Sequence, residues 1–291
     1  MKWLITGGGG QLGQAMAFVL SSQDCDYVLL NRSNLDVTNR EQILECFERL
    51  SPNIVINAAA WTNVELAESH EDEAWAVNAE GPKFLAEACA QRGAKFVQIS
   101  TDYVFSGVSN LPWDEAANQS PISSYGRTKA DGERLALATY PQGTYVVRTS
   151  WLYSPWGKNF VKTMVRIALK DSDSVRVVND QIGQPTSAID LAAQIYAMVT
   201  GELEPGIYHG TNSAQASWFE LAQEIFAFLK QDVHRVKPIN SREFMGLAER
   251  PAFSVLGHEH WVKEGLKPMQ NWQLALYQVL PAIIIAVEIG E

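Results

Sequence analysis

An α/β fold with a doubly wound parallel sheet is what the first 150 residues predict, on three observations. Short β-branched runs alternate with longer amphipathic stretches, as strands joined by crossover helices require. Most of these runs are almost continuously apolar, the pattern of strands covered on both faces. The first run also leads straight into a cluster of glycines, where a strand hands over to a helix N-terminus.

The runs follow in order. "KWLIT" at 2–6 is the first strand, "DYVLLN" at 26–31 the second, "NIVINAAA" at 53–60 the third, "AKFVQIS" at 94–100 the fourth and "TYVVRTS" at 144–150 the fifth. Ser51-Pro52-Asn53 marks an entry from helix to strand, because proline disfavours the helical conformation in the residue before it. Gly93 follows "KFLAEACAQR", where a C-cap glycine belongs. After Ser150 the alternation loosens into "WLYSPWGKNF", "NDQIGQPTS" and "ERPAFSVLG". The expected division is a nucleotide-binding domain over 1–150 and a smaller α/β substrate lobe over 151–291, which returns some segments to the first core. The two lobes are expected to enclose a cleft. The terminal "VLPAIIIAV" is broken by Pro281 and falls short of the roughly 20 residues that span a bilayer, so it reads as a packed helix.

Composition narrows the partners. With 291 residues, 46% of them hydrophobic, the chain has enough apolar surface for a substantial core. A formal net charge of -10 argues against a general nucleic-acid surface and leaves room for a local basic pocket. Cys25, Cys46 and Cys89 form no CxxC pattern and read as small buried hydrophobes in a reducing compartment. "KWLIT" is too short an apolar run for a signal peptide, so the expectation is a cytoplasmic protein with neither membrane nor nucleic-acid partner. His258 and His260 flank Glu259 without HExxH spacing; they read as solvated loop residues, and no metal is predicted.

"TGGGGQLGQAM" follows the first strand and opens the first helix. Gly7, Gly10 and Gly13 recur at intervals of three, and Gly8, Gly10 and Gly13 also satisfy GxGxxG. Glycine there permits a tight turn, lets backbone amides approach a pyrophosphate, and lets helix and strand pack closely. The chain therefore reads as a Rossmann-type dinucleotide binder. Where an acid would hold the adenosine ribose of NAD, this chain has Asn31 and Arg32. Arg32 suits a 2′-phosphate, which tilts the cofactor toward NADPH with NADH as a second donor; the alternative is a solvated loop charge. Asp36 and Val37 either border the adenine or, for Asp36, make a turn or cap the next helix.

"QISTDYVFSG" puts Thr101 and Asp102 at the same sheet edge as the glycines, and Tyr125 and Lys129 in "SSYGRTKADGE" share one helix face. A hydroxyl, a phenol and an ammonium would then meet beside the cofactor. A free phenol titrates near pH 10, so a proton-shuttling tyrosine needs a cation close by. These residues, with the glycine turn and "NAAAWT" after the third strand, resemble the extended short-chain dehydrogenase/reductase superfamily. Within it, "STDYVFSG", "PISSYGRTKADGE", "VVRTSWLYSPWGKNFVKTM", "VVNDQIGQPTSAIDLA", "GIYHGTNSAQASWFELA" and "RPAFSVL" occur in the order seen in the dTDP-4-dehydrorhamnose reductase family.

That resemblance implies hydride transfer from NADPH to the C4 keto group of dTDP-6-deoxy-L-lyxo-4-hexulose, giving dTDP-L-rhamnose. It implies Tyr125 as proton donor, Lys129 as its tuner and ribose holder, and Thr101 as the group that orients the substrate oxygen. Gly10, Gln11 and Leu12 would contact the cofactor phosphates. Asp36 and Val37 would flank the adenine, and Ala60, Trp61 and Thr62 would line the dinucleotide. Thr101 and Asp102 would meet the sugar and Trp151 would close over it. Asn159, Lys162 and Arg250 are the expected donors to the nucleotide diphosphate, a dianion that needs cations and amides in an acidic protein. Ser106 departs from the family, which often has aspartate after "TDYVF". "GQLGQAMAF" also lacks the glutamate with which some members bind magnesium at a dimer contact, so a homodimer is expected without that ion. Two rivals stand beside this reading: an NAD-retaining nucleotide-sugar epimerase or dehydratase, and a binding module like the regulatory subunit of methionine adenosyltransferase.

Overall fold

The computed structural model describes residues 1–170, 174–243 and 246–290. The first half holds β1 (Lys2–Thr6), α1 (Gln11–Ser22), β2 (Asp26–Leu30), α2 (Arg40–Leu50), β3 (Ile54–Asn57), α3 (Val64–Ala67) and α4 (Glu71–Trp75), which a π-helical turn joins to α5 (Gly81–Arg92). Then come β4 (Lys95–Thr101), α6 (Ser124–Thr139) and β5 (Thr144–Thr149). The five strands are those the apolar runs predict. Ser51 and Gly93 close α2 and α5 in the left-handed conformation, at φ 45° and 65°.

The second half contains β6 (Leu152–Tyr153), α7 (Phe160–Leu169), β7 (Val175–Val178), β8 (Ile182–Gly183), β9 (Thr186–Ser187) and α8 (Ala188–Thr200). It continues with β10 (Gly206–His209), β11 (Ala216–Ser217), α9 (Trp218–Phe228), β12 (Val236–Ile239), α10 (Glu259–Lys263) and α11 (Trp272–Glu288). The main sheet has six strands in the order β10-β5-β4-β3-β1-β2, all paired in parallel. Strand order reverses at β1, so a crevice opens between β1 and β3 beyond the carboxyl ends, where such sheets bind ligands.

One face of the sheet is covered by α1 and α8, through Leu12, Met16 and Val19 against Leu191, Ile195 and Met198. The other carries α2 and α5, through Ile43 and Phe47 with Leu85 and Cys89. β10 and α8 come from beyond residue 150 yet complete this core. A second apolar cluster unites α7, α9 and α11 around Val165, Ile225, Phe226, Leu276 and Ile283. Among the described residues no helix is long and apolar enough to cross a membrane. Cys46 and Cys89 are buried in the sheet core and their thiols are pushed up by burial.

His258 and His260 are not the solvated residues the sequence suggests. His258 Nε2 is 2.8 Å from Thr211 Oγ1, and burial lowers its pKa. His260 Nδ1 donates to the Ile207 carbonyl at 2.6 Å while its ring stacks on Tyr208, centroids 4.2 Å apart. α10 packs against β10, and that long-range contact removes both rings from the loop surface.

Beneath the site lies a buried ion pair. Arg148 of β5 forks onto Glu133 of α6, with contacts of 2.8, 3.0 and 3.1 Å. Its Nη1 donates to the Glu115 carbonyl at 3.2 Å, and its guanidinium lies over the Phe105 ring, 5.0 Å from the centroid. Burial, with Arg148 alongside, drives the His209 pKa well down, so that imidazole is neutral.

Candidate active site

The glycine turn is sterically compulsory at two points. Gly7 has φ +65°, and a Cβ there would lie 2.5 Å from the Ala58 carbonyl carbon. A Cβ on Gly13 would lie 2.6 Å from the Gly7 oxygen and 2.7 Å from Gly8 Cα. Gly10 is the N-cap of α1 and offers no capping side chain, so first-turn amides are left for a ligand. Gly13→Ala is expected to weaken NADPH binding about tenfold or more, because the Gly7 carbonyl must move out of the cradle. Titration of nicotinamide fluorescence measures this; unchanged affinity would refute the cradle.

From this turn a cavity of about 750 Å³ runs across the sheet edge, and the structure gathers most of the predicted residues along it. Gly7, Gly10, Gln11, Leu12 and Gly13 line one end, with Asn31, Arg32, Asp36 and Val37 beside them. Asp36 does make a turn as well: its carboxylate accepts from the Thr38 N–H at 3.0 Å and the Thr38 hydroxyl at 2.8 Å, which lowers its pKa. Ala60, Trp61 and Thr62 form the next stretch of wall. Asn78 clamps them, accepting from the Trp61 N–H at 2.9 Å and donating to the Trp61 carbonyl at 3.1 Å.

Thr101, Asp102, Tyr125, Lys129 and Trp151 line the other end. Ser123 caps α6 by accepting from the Gly126 N–H at 3.2 Å, which starts the helix just before Tyr125. The small residues around the tyrosine have a reason: a Cβ on Gly126 would lie 2.3 Å from the Tyr103 carbonyl oxygen, so only glycine lets α6 approach the β4 loop. Tyr125 shares this wall with Thr101 and meets the Tyr103 ring edge-on at 5.6 Å. Burial pushes the Tyr125 phenol up to about 12 and brings the Lys129 ammonium down to about 8. Lys129 Nζ donates to the Ile99 carbonyl at 2.6 Å. Desolvation of the phenolate is the largest influence on Tyr125, which is why the phenol lies above its ordinary value. Burial also raises Asp102 to about 6.

Three polar atoms in this wall, Ser100 Oγ, Thr149 Oγ1 and Asp102 Oδ2, are buried without a hydrogen-bond partner. Buried groups of that kind are rare in proteins, and a catalytic or binding role is one of the reasons for which they are kept. Together with the glycine cradle, they fit a dinucleotide and a polyhydroxyl substrate.

The three residues expected at a diphosphate lie outside the cavity lining. Lys162 is fully buried and its Nζ donates to the Pro155 carbonyl at 3.0 Å. Asn159 caps α7 through the Lys162 N–H at 2.9 Å and donates to Gln11 Oε1 at 3.0 Å. Arg250 pairs with Glu65 at 2.6 Å. Lys162 is thus met by a carbonyl seven residues back, whereas Asn159 reaches Gln11 and Arg250 reaches Glu65 across more than 140 residues of chain. Trp218, which sequence reasoning missed, lines the cavity and stacks on Trp151 with centroids 3.6 Å apart. Its one local signal is position: it follows Ser217 at the start of α9, in a capping box with Glu220.

The glycine turn and the Tyr125 and Lys129 pair share one edge of a parallel sheet, the arrangement of the short-chain dehydrogenase/reductase superfamily, and the protein is of that class. More narrowly, the chain belongs to the RmlD substrate binding domain family, whose model it matches over residues 1–284. It is 41% identical over 282 residues, 97% of each chain, to the dTDP-4-keto-6-deoxy-D-glucose reductase of Streptomyces niveus. To the dTDP-4-dehydrorhamnose reductase of Streptomyces griseus it is 41% identical over 286 residues, covering 97% of this chain and 94% of that one. The solved structure of dTDP-4-dehydrorhamnose reductase from Bacillus anthracis in complex with NADP superposes with a TM-score of 0.92 at 38% identity, covering 96% of this chain and 98% of that one.

Proposed function

We propose that the protein reduces the C4 keto group of dTDP-6-deoxy-L-lyxo-4-hexulose with NADPH to give dTDP-L-rhamnose, as a dTDP-4-dehydrorhamnose reductase. The observation that carries this reading is the meeting of Thr101, Tyr125 and Lys129, one turn apart on α6 for the last two, in a cavity continuous with the glycine cradle. Gly7, Gly10 and Gly13 with the α1 amides would hold the pyrophosphate, and Arg32 the 2′-phosphate that distinguishes NADPH from NADH. Bound NADPH would supply the hydride.

The chain's own groups do the rest. Thr101 orients the ketone oxygen. Tyr125, a neutral phenol at any physiological pH, gives its proton to that oxygen as negative charge develops on it. The Lys129 ammonium steadies the phenolate that remains, and Asp102 accepts from a sugar hydroxyl. The dehydratase rival needs an acid where Tyr103 stands, and burial holds the Tyr103 phenol well above its ordinary value. A homodimer is proposed as well, with no acid in the first turn of α1 to bind magnesium there.

The deciding experiment follows NADPH absorbance with freshly made dTDP-4-keto-L-rhamnose, with NADH in parallel. Sugar-dependent oxidation, faster with NADPH, supports the reading. Turnover of dTDP-4-keto-6-deoxy-D-glucose alone would move the substrate to that of the S. niveus relative.

The dependence of kcat/KM on pH is expected to be bell-shaped, with apparent pKa values near 6 and 8. Below the first, Asp102 takes up a proton and ceases to be a pure acceptor; above the second, Lys129 loses its charge. Tyr125, at about 12, stays protonated throughout and contributes no limb. Asp102→Asn should abolish the acid limb, and its persistence would assign that limb elsewhere.

A further inference from the structure

Trp151 holds a backbone conformation that its residue type avoids, φ 45°, in the left-handed region. Its indole is held by two close neighbours. Trp218 stacks on it, centroids 3.6 Å apart and planes at 11°. The backbone of Gly183 also presses on it, where an added Cβ would come 2.6 Å from Trp151 Cε2 and 2.7 Å from Cζ2. Gly183 is not among the residues of positive φ, so its lack of a side chain serves the indole and no unusual turn.

Both jaws belong to one frame. β8 and β11 pair antiparallel, Gly183 opposite Ala216 and Ile182 opposite Ser217, and Trp218 follows directly. The Ser217 and Glu220 capping box sets the rotation at which Trp218 enters α9, and Phe160 supports its ring at 4.7 Å. Trp151 and Trp218 are both half-buried and both line the cavity at its sugar end.

We propose that Gly183 and Trp218 are positioning residues, a two-jawed clamp that holds the Trp151 indole as one wall of the sugar subsite and so sets the affinity for the sugar nucleotide. The proposal rests on the reductase reading given above. The clamp acts on the sugar side alone, because the glycine cradle lies on other elements.

The test uses the intact protein and compares Trp218→Leu, Trp218→Phe and Gly183→Ala, each in the parent and in a Trp151→Leu background. In the parent, Trp218→Leu and Gly183→Ala should raise KM for the sugar nucleotide about tenfold, the factor one aromatic stack commands. KM for NADPH should change less than about twofold, and Trp218→Phe, which keeps a stacking ring, should recover most of the loss. In the Trp151→Leu background neither substitution should cost anything further, since the group they hold is gone. Equal effects in both backgrounds, or an unchanged sugar KM, would overturn the clamp. Circular dichroism gives an independent reading: two stacked indoles produce an exciton couplet that Trp218→Leu must abolish. Should the parent reduce no dTDP-linked keto sugar, the reductase reading falls by itself; persistence of the couplet in Trp218→Leu would sink the clamp whatever the activity.

Discussion

Tyr125→Phe is expected to lower kcat by about a hundredfold to ten-thousandfold, the range that a positioned general acid contributes. Desolvation holds the phenol in its acid form up to about pH 12, so at neutral pH it is loaded with the proton that reduction consumes. Removing one oxygen leaves the ring in place against Tyr103, and Ser123 still caps α6. Folding and NADPH binding should therefore survive, which circular dichroism and nicotinamide fluorescence can check. Stopped-flow single turnovers separate the hydride step from product release. Activity within about threefold of the parent would exclude Tyr125 as the donor and pass the role to Thr101 or a solvent path.

Glu133→Ala should cost about 3–5 kcal/mol of stability, because it leaves the Arg148 guanidinium charged, buried and without its counter-ion. Both side chains are almost wholly inaccessible, 1% for Glu133 and 2% for Arg148, so water cannot replace the lost carboxylate. The remaining contacts of Arg148, the Glu115 carbonyl and the Phe105 face, compensate only in part. Urea unfolding provides the measure. The double substitution Glu133→Leu with Arg148→Met should recover most of the loss, since a buried pair exchanged for apolar groups of similar volume is often close to neutral. A single variant as stable as the parent would show that the pair contributes nothing. Glu133 lies one turn beyond Lys129 on the helix that also carries Tyr125, so the single variant should lose activity along with stability.

Much of the fold was legible because its signals are local. Each of the five predicted strands is an apolar run with its own boundaries, and the glycines between β1 and α1 are demanded by backbone contacts within a single turn and its neighbour. β10 was harder: "GIYHG" is short, and nothing adjacent to it says that it pairs with β5, some sixty residues earlier in the chain. Site residues divide the same way. That Thr101, Tyr125 and Lys129 meet at one sheet edge follows from strand end and helix spacing, whereas the surroundings of Lys162 and Arg250 do not, because composition records a charge and not its partners. In the fold a carbonyl satisfies the first and Glu65 the second.

What the sequence by itself determined is the five strands of the first half with helices between them, the glycine turn and the tyrosine and lysine on one helix face, all consequences of backbone sterics and of periods of 2 and 3.6 residues. Only the tertiary structure decided that His258 and His260 are packed, that Arg148 reaches Glu133 and that Trp151 packs against both Gly183 and Trp218. Those facts depend on which side chains meet across long stretches of chain. Burial then turns each meeting into a shifted pKa, a satisfied charge or a fixed ring, and a linear pattern carries no record of that step.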